Sequence, residues 1–217
     1  MADINRRKML MLLGAAPFAT TLIGQEQPPV PSSKFQIISS RERIRQCYFP
    51  DLTLTTQEGK KVQLYDDLIK DKIVLLNFFY VKCEGICMPI TMNLKRVQAM
   101  FGERMGRDIF MCSFTLKPLE DTVDSLLQYA EMHHAKPGWS FLTGSVEDMA
   151  LLRRKLGYVD PDPEYDKDLT NHIGIIKYGN EPLERWGGTP GLRNPAAIVR
   201  SVLAVDWPDN MKKSGGS

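Results

Sequence analysis

Residues Ile73 to Val81 form an apolar run broken only by Asn77, with no alternation of polar and apolar side chains. A strand that buries one face alternates. A strand apolar on both sides has to be covered on both, which places it at the centre of a sheet flanked by other layers. The segments around it alternate in kind. Leu52 to Leu54 and Val62 to Leu64 flank Glu58-Gly59 and read as a β-hairpin. Residues 87–101 carry Ile90, Leu94, Val97 and Phe101 at helical spacing, and Asp108 to Leu116 is a second buried strand. Thr122 to His134 reads as a helix with Leu126, Leu127 and Ala130 inward, and Trp139 to Leu142 as a short strand. Ser145 with Asp148 resembles a capping box, opening a helix that stops at Gly157.

Pro161 to Asp168 is an acidic loop, followed by a strand from His172 to Tyr178, a turn near Gly179-Asn180 and a partner strand over Leu183 to Trp186. Asn194 caps a last helix whose first position is Pro195, running to about Val205. Hairpin, βαβ units and a terminal ββα predict an α/β sandwich with a mixed sheet flanked by helices.

Both ends differ from this body. Arg6-Arg7-Lys8 precedes the uncharged, moderately apolar stretch Met9 to Ile23. Fifteen residues at about 1.5 Å each fall short of a hydrocarbon core of about 30 Å, so the stretch reads as a signal h-region. Paired arginines ahead of a Gly/Ala/Thr-diluted h-region resemble a twin-arginine export signal, a general secretory signal or uncleaved tether being the alternatives. The expected organisation is an export signal over 1–24, a Pro- and Ser-rich linker over 25–45, one domain over 46–207 and a flexible tail over 208–217. Export places the domain in the periplasm or on the outer face of the cytoplasmic membrane, with a membrane tether possible at the N-terminus. A net charge of +2 with no basic stripe or zinc-finger spacing argues against nucleic acid as a partner.

Export also changes how the four cysteines, Cys47, Cys83, Cys87 and Cys112, are read. They are too few for a disulfide scaffold in a chain of 217 residues, and an unpaired thiol outside the cytoplasm oxidises unless something occupies it. Cys83 and Cys87 stand where the central strand ends and a helix begins. Four residues apart, both sulfurs reach one face, and the free N–H groups of the nascent helix favour thiolate. Two thiolates suit Cu(I), zinc or iron–sulfur chemistry. An iron–sulfur cluster wants four cysteines and structural zinc four ligands, so two cysteines and one histidine point to copper, with a redox disulfide as the alternative.

The pattern Phe78-Phe79-Tyr80, two residues, Cys83, three residues, Cys87 closely resembles the copper-binding motif of the Sco/SenC proteins, which mature the dinuclear copper site of cytochrome oxidase. The similarity runs from about Phe49 to Val205 and includes the loop from Ser113 to Thr122. It implies a thioredoxin-like fold, a copper ion held by Cys83, Cys87 and His172, and a copper-receiving oxidase subunit and a thiol reductant protein as partners. His172 follows Asn171 at the family's third-ligand position, where reductases of this fold carry a proline. A thiol–disulfide reductase working through Cys83 and Cys87 is the other activity the resemblance allows. Glu84 and Met88 stand where the family often has proline, and Glu84 is expected to raise the thiol pKa. Adjacent His133 and His134 are expected to be solvent-exposed, Met88 and Met92 to pack in core or groove, and Cys112 to be a small buried hydrophobe.

Overall fold

The computed structural model describes residues 38–169 and 174–207. The segments expected as export signal, linker up to residue 37 and tail, together with residues 170–173, lie outside them. Among the described residues, no helix is long and apolar enough to cross a membrane.

Helix α1 (Ser40–Tyr48) begins the folded body, with Ser39 capping it by accepting the Glu42 N–H at 3.2 Å. The linker expected to reach residue 45 therefore gives way to helix by residue 40. The helix has no fully buried residue. It is held instead by Arg41, whose guanidinium meets both oxygens of Glu181 at 2.6 Å, and by Ile44 against the core. A partner so distant in sequence leaves no local signal.

Strands β1 (Thr53–Thr56) and β2 (Lys61–Gln63) form the expected hairpin, closed by Gly59 at φ 78°. A π-helical turn over Leu64–Ile69 leads to β3 (Ile73–Phe79), every residue of which is buried. Then follow α2 (Cys87–Phe101), β4 (Ile109–Thr115), α3 (Val123–Met132), β5 (Trp139–Thr143) and α4 (Val146–Lys155). Ser145 accepts the Asp148 N–H at 3.0 Å, completing the predicted cap, and Gly157 ends the following turn at φ 65°. The acidic segment expected as a loop contains a short helix, α5 (Pro163–Lys167), nucleated by Asp162 as cap and Pro163 in the first turn. Arg153 pins it by a two-pronged pair to Asp166.

The closing hairpin is β6 (Ile175–Asn180) with β7 (Arg185–Pro190), so the partner strand lies later than Leu183–Trp186, and α6 (Pro195–Leu203) ends the body with Asn194 as cap.

The seven strands form one mixed sheet in the order β2-β1-β5-β4-β3-β6-β7, with β3, β4 and β5 parallel and the rest antiparallel. Successive side chains of β3 point to opposite faces. Leu75 and Phe79 join a core with Ile90, Leu94 and Val97 of α2 and Ile198 and Val202 of α6. Val74, Leu76 and Phe78 join a second core with Phe49, Leu152 and Tyr158. This double covering is what the unalternated run requires.

Of the residues placed from sequence, Cys112 is fully buried in β4, and burial pushes its thiol up to about 12. Four positions are corrected. Leu127 lies on the exposed side of α3, and Tyr129 takes its place inward. His133 is buried, its ring 4.4 Å from that of Tyr129, because the last turn of α3 folds against α2; His134 alone is exposed. Met88 and Met92 are exposed on α2.

Candidate metal centre

β3 ends at Phe79, and the chain turns through residues 80–86 into α2, whose first residue is Cys87. Cys87 is buried and Cys83 half-buried, and no disulfide joins them. The Cys87 thiol donates a hydrogen bond to the Cys83 sulfur, which also accepts from the Cys87 and Gly85 N–H groups and the Tyr80 hydroxyl. Burial opposes ionisation of Cys83, but these four donors outweigh it and hold its pKa below the ordinary thiol value. Burial raises the pKa of Cys87, and the negative sulfur of Cys83 beside it adds to the rise. The first proton of the pair thus leaves Cys83. Glu84 is exposed and is not among these causes, so the expectation that it raises the pKa of the thiols fails: the Cys87 thiol, the Cys87 and Gly85 N–H groups and the Tyr80 hydroxyl lower that of Cys83.

A buried carboxylate braces this loop. Asp121, in the loop after β4, accepts the Val81 N–H at 3.3 and 3.2 Å and the Thr115 hydroxyl, and burial raises its pKa. Sequence reading noted Asp121 only as part of a resembling loop; its bond to Val81 joins the ends of β3 and β4, which are paired in register from Ile73–Ile109 to Phe79–Thr115. Lys117, from the same loop, sits over the Tyr80 ring at 4.8 Å. Asp121→Ala leaves two inward-facing donors unpaired and is expected to cost about 2 kcal/mol. Asp121→Asn, which keeps an acceptor, is expected to lose less. Urea denaturation checks the order, and thiol alkylation rates reveal whether Cys83 becomes more accessible.

His172 and Asn171 lie outside the described residues. The residues on either side approach the cysteine loop. Leu169 packs against the core cluster that contains Tyr80 and Cys87, and Asp168 is close enough to Tyr80 to oppose ionisation of its hydroxyl. Gly174 accepts the Gly191 N–H at 2.8 Å and lies so near α2 that a Cβ there would stand 2.6 Å from Ile86 Cδ1. A larger residue there would have to push the end of the Ile86 side chain aside.

Among the described residues, no three His, Cys, Asp or Glu side chains converge as a ligand set. Two adjacent reduced thiols, one disposed to ionise, remain a donor pair suited to a soft ion. A groove of about 600 Å³ lies on the opposite face of the sheet between α1 and the β6–β7 hairpin, lined by Ile44, Leu76, Ile175 and Trp186.

A mixed sheet with helices on both faces and two cysteines at a central strand-to-helix junction defines a thioredoxin-like protein. The SCO1/SenC family model matches residues 41–183, and the chain belongs to that family. It is 29% identical over 117 residues to the SCO1 protein homolog of Bacillus subtilis (strain 168), an alignment covering 52% of this chain. That alignment spans 59% of the relative's length. The structure of Bradyrhizobium japonicum ScoI with copper bound has a similar fold, with TM-score 0.58 and 21% identity over 72% of this chain and 98% of that one. BsSco, described as a member of the Sco family of cytochrome c oxidase assembly proteins and as having a disulfide switch, gives TM-score 0.58 at 24% identity, over 72% and 91%. These likenesses establish the fold.

Proposed function

We propose that this protein carries copper: it binds one copper ion through Cys83, Cys87 and His172 and passes it to the copper-receiving subunit of cytochrome oxidase during assembly of the dinuclear site. The observation that carries this reading is the hydrogen-bonded Cys83–Cys87 thiol pair at the start of α2, where a soft ion can replace the two thiol protons. The approach of Leu169 and Gly174 to the same loop favours His172 as the third donor, an imidazole supplying a neutral nitrogen. Copper is cargo here, exchanged between sets of ligands. The family's role and the copper-bound relative support the choice of ion and recipient. The N-terminal Arg6-Arg7 segment supports export by the twin-arginine route to the periplasm or the outer membrane face; Arg6→Lys/Arg7→Lys with cell fractionation tests it.

The asymmetry of the pair favours a second activity at the same residues, thiol–disulfide reduction. Cys83, more exposed and more readily ionised, would attack a partner disulfide, and buried Cys87 would release the product by closing the Cys83–Cys87 disulfide. A thiol reductant protein would then restore the pair. His172→Ala separates the two readings. It is expected to weaken Cu(I) binding by about a hundredfold or more while disulfide exchange continues. Copper affinity equal to wild type would remove His172 from the ligand set.

The two activities exclude one another in time. Forming the disulfide takes two electrons and two protons from the pair, reducing one oxidised glutathione to two thiols, and leaves no thiolate for the metal. Because Cu(I) binds only the reduced pair and so stabilises it, titration in glutathione buffers is expected to give a less negative midpoint when Cu(I) is present. Equal copper binding by oxidised and reduced protein would show that the cysteines are not ligands.

A further inference from the structure

Helix α2 buries one stripe: Cys87, Ile90, Thr91, Leu94, Val97 and Phe101 face the core. At about 100° per residue, Met88 and Met92 fall together on the outer face, about 100° and 140° round from Cys87. They are 40% and 38% exposed, so neither is fully enclosed by packing. Residues four apart on a helix have Cβ atoms about 5–6 Å apart, and flexible methionine arms let both sulfurs meet one ion at about 2.3 Å. Thioethers are soft, uncharged ligands that suit Cu(I) and bind it without losing a proton. Met88 directly follows Cys87, and five residues of helix, about 7.5 Å along the axis, separate Cys87 from Met92. Both side chains thus stand on the solvent side of the helix that Cys87 opens, within two turns of it.

From this juxtaposition we propose that Met88 and Met92 form a second, weaker Cu(I) site, a surface way-station through which the ion enters and leaves the Cys83–Cys87 centre. The way-station role rests on the copper-carrying reading, and the metal site itself does not. Transfer inward is ligand exchange with no change of oxidation state: two Cu–thioether bonds break, two Cu–thiolate bonds form, and the thiol protons pass to water. Transfer outward reverses these steps. The neutral sulfurs bind more weakly than thiolates, so the ion pauses at the surface and rests inside. An acceptor protein then meets the ion on an exposed helix face and does not have to reach buried Cys87.

Two measurements on the full chain test this. In Cys83→Ser/Cys87→Ser, with methionine methyls labelled by carbon-13, titration with Ag(I) and then with Cu(I) under ascorbate is expected to shift the Met88 and Met92 signals together. Met100 and Met132, 52% and 67% exposed elsewhere, serve as internal controls and should not move. Unmoved Met88 and Met92, or equal shifts at all four, would overturn the site. In an otherwise unaltered chain, Met88→Leu/Met92→Leu keeps size and helix propensity. It is expected to slow Cu(I) transfer to a soluble chelator by about tenfold, with equilibrium affinity within about twofold of wild type. Met100→Leu should change neither. Unchanged transfer in the double leucine variant would overturn the way-station role. If the unaltered chain takes up no Cu(I) at its cysteines, the copper-carrying reading fails, while methyl shifts in the serine variant would still establish the thioether site.

Discussion

Cys87→Ser is expected to lower Cu(I) affinity by about a thousandfold while leaving the fold intact. A complete thiolate site contributes apparent binding free energies of about 10–16 kcal/mol, so losing one of three donors removes about 4 kcal/mol, or about three decades in affinity. Serine is close in size to cysteine, and its hydroxyl can still donate to Cys83, so the buried position opening α2 stays filled. Its oxygen is a hard donor that does not ionise at neutral pH. Cys83→Ser is expected to match it in affinity, and the two differ in disulfide exchange. Cys83→Ser removes the attacking sulfur, whereas Cys87→Ser stalls at a mixed disulfide with the partner. Competition against a Cu(I) chelator, with circular dichroism to verify folding, measures the first effect, and mass spectrometry of trapped adducts the second. An affinity within tenfold of wild type for both variants would place the metal elsewhere.

The second large effect is on stability. Arg41→Ala is expected to cost about 3 kcal/mol, lowering Tm by about 6–12 °C. The Glu181 side chain is 2% exposed and accepts four hydrogen bonds, two from Arg41 at 2.6 Å, one from the Tyr65 hydroxyl at 2.6 Å and one from the Asp71 N–H at 2.8 Å. Removing the guanidinium leaves a buried carboxylate with neutral donors only. Breaking a fully buried pair costs about 3–5 kcal/mol, and the partial exposure of Arg41 puts this one at the low end.

Burial opposes ionisation of Glu181, but Arg41, Tyr65 and the Asp71 N–H outweigh it, so its pKa lies below the ordinary 4.5. A carboxyl with a depressed folded pKa contributes stability that is fully present above its unfolded pKa and is lost as pH falls through the folded value. The gap between wild type and Arg41→Ala should therefore be full at pH 7 and narrow as pH drops below about 4.5. Urea denaturation across that range checks it. A gap independent of pH would mean that Arg41 acts through packing alone.

That ion pair also marks where sequence reading stopped. Residues 40–45 of α1 fall in the segment expected as linker; the helix buries no residue of its own, and its anchor is Glu181, 140 positions away. The exposure of Met88 and Met92 and the burial of His133 escaped for a related reason. Helical spacing shows which residues share a face, while which face meets a neighbour depends on how α2 and α3 lie against the sheet. The lowered pKa of Cys83 likewise comes from the Cys87 thiol, backbone N–H groups and the Tyr80 hydroxyl converging in a folded loop, which the charge of neighbouring Glu84 gave no means to anticipate.

What the sequence by itself determined is whatever rests on contacts within a few residues. The double-sided apolar run made β3 central, the stripe of Ile90, Leu94 and Val97 made α2 a helix, and Ser145 and Asn194 set the starts of α4 and α6 through their own side chains. The Cys83–Cys87 spacing located the candidate centre for the same reason. Only the tertiary structure decided the strand order, the brace from Asp121 to Val81, the anchoring of α1 by Glu181, and the approach of Leu169 and Gly174 to the cysteine loop. Each of these joins residues far apart in the chain, and such a pairing is fixed by the packing of the whole sheet and its helices, which no local pattern encodes.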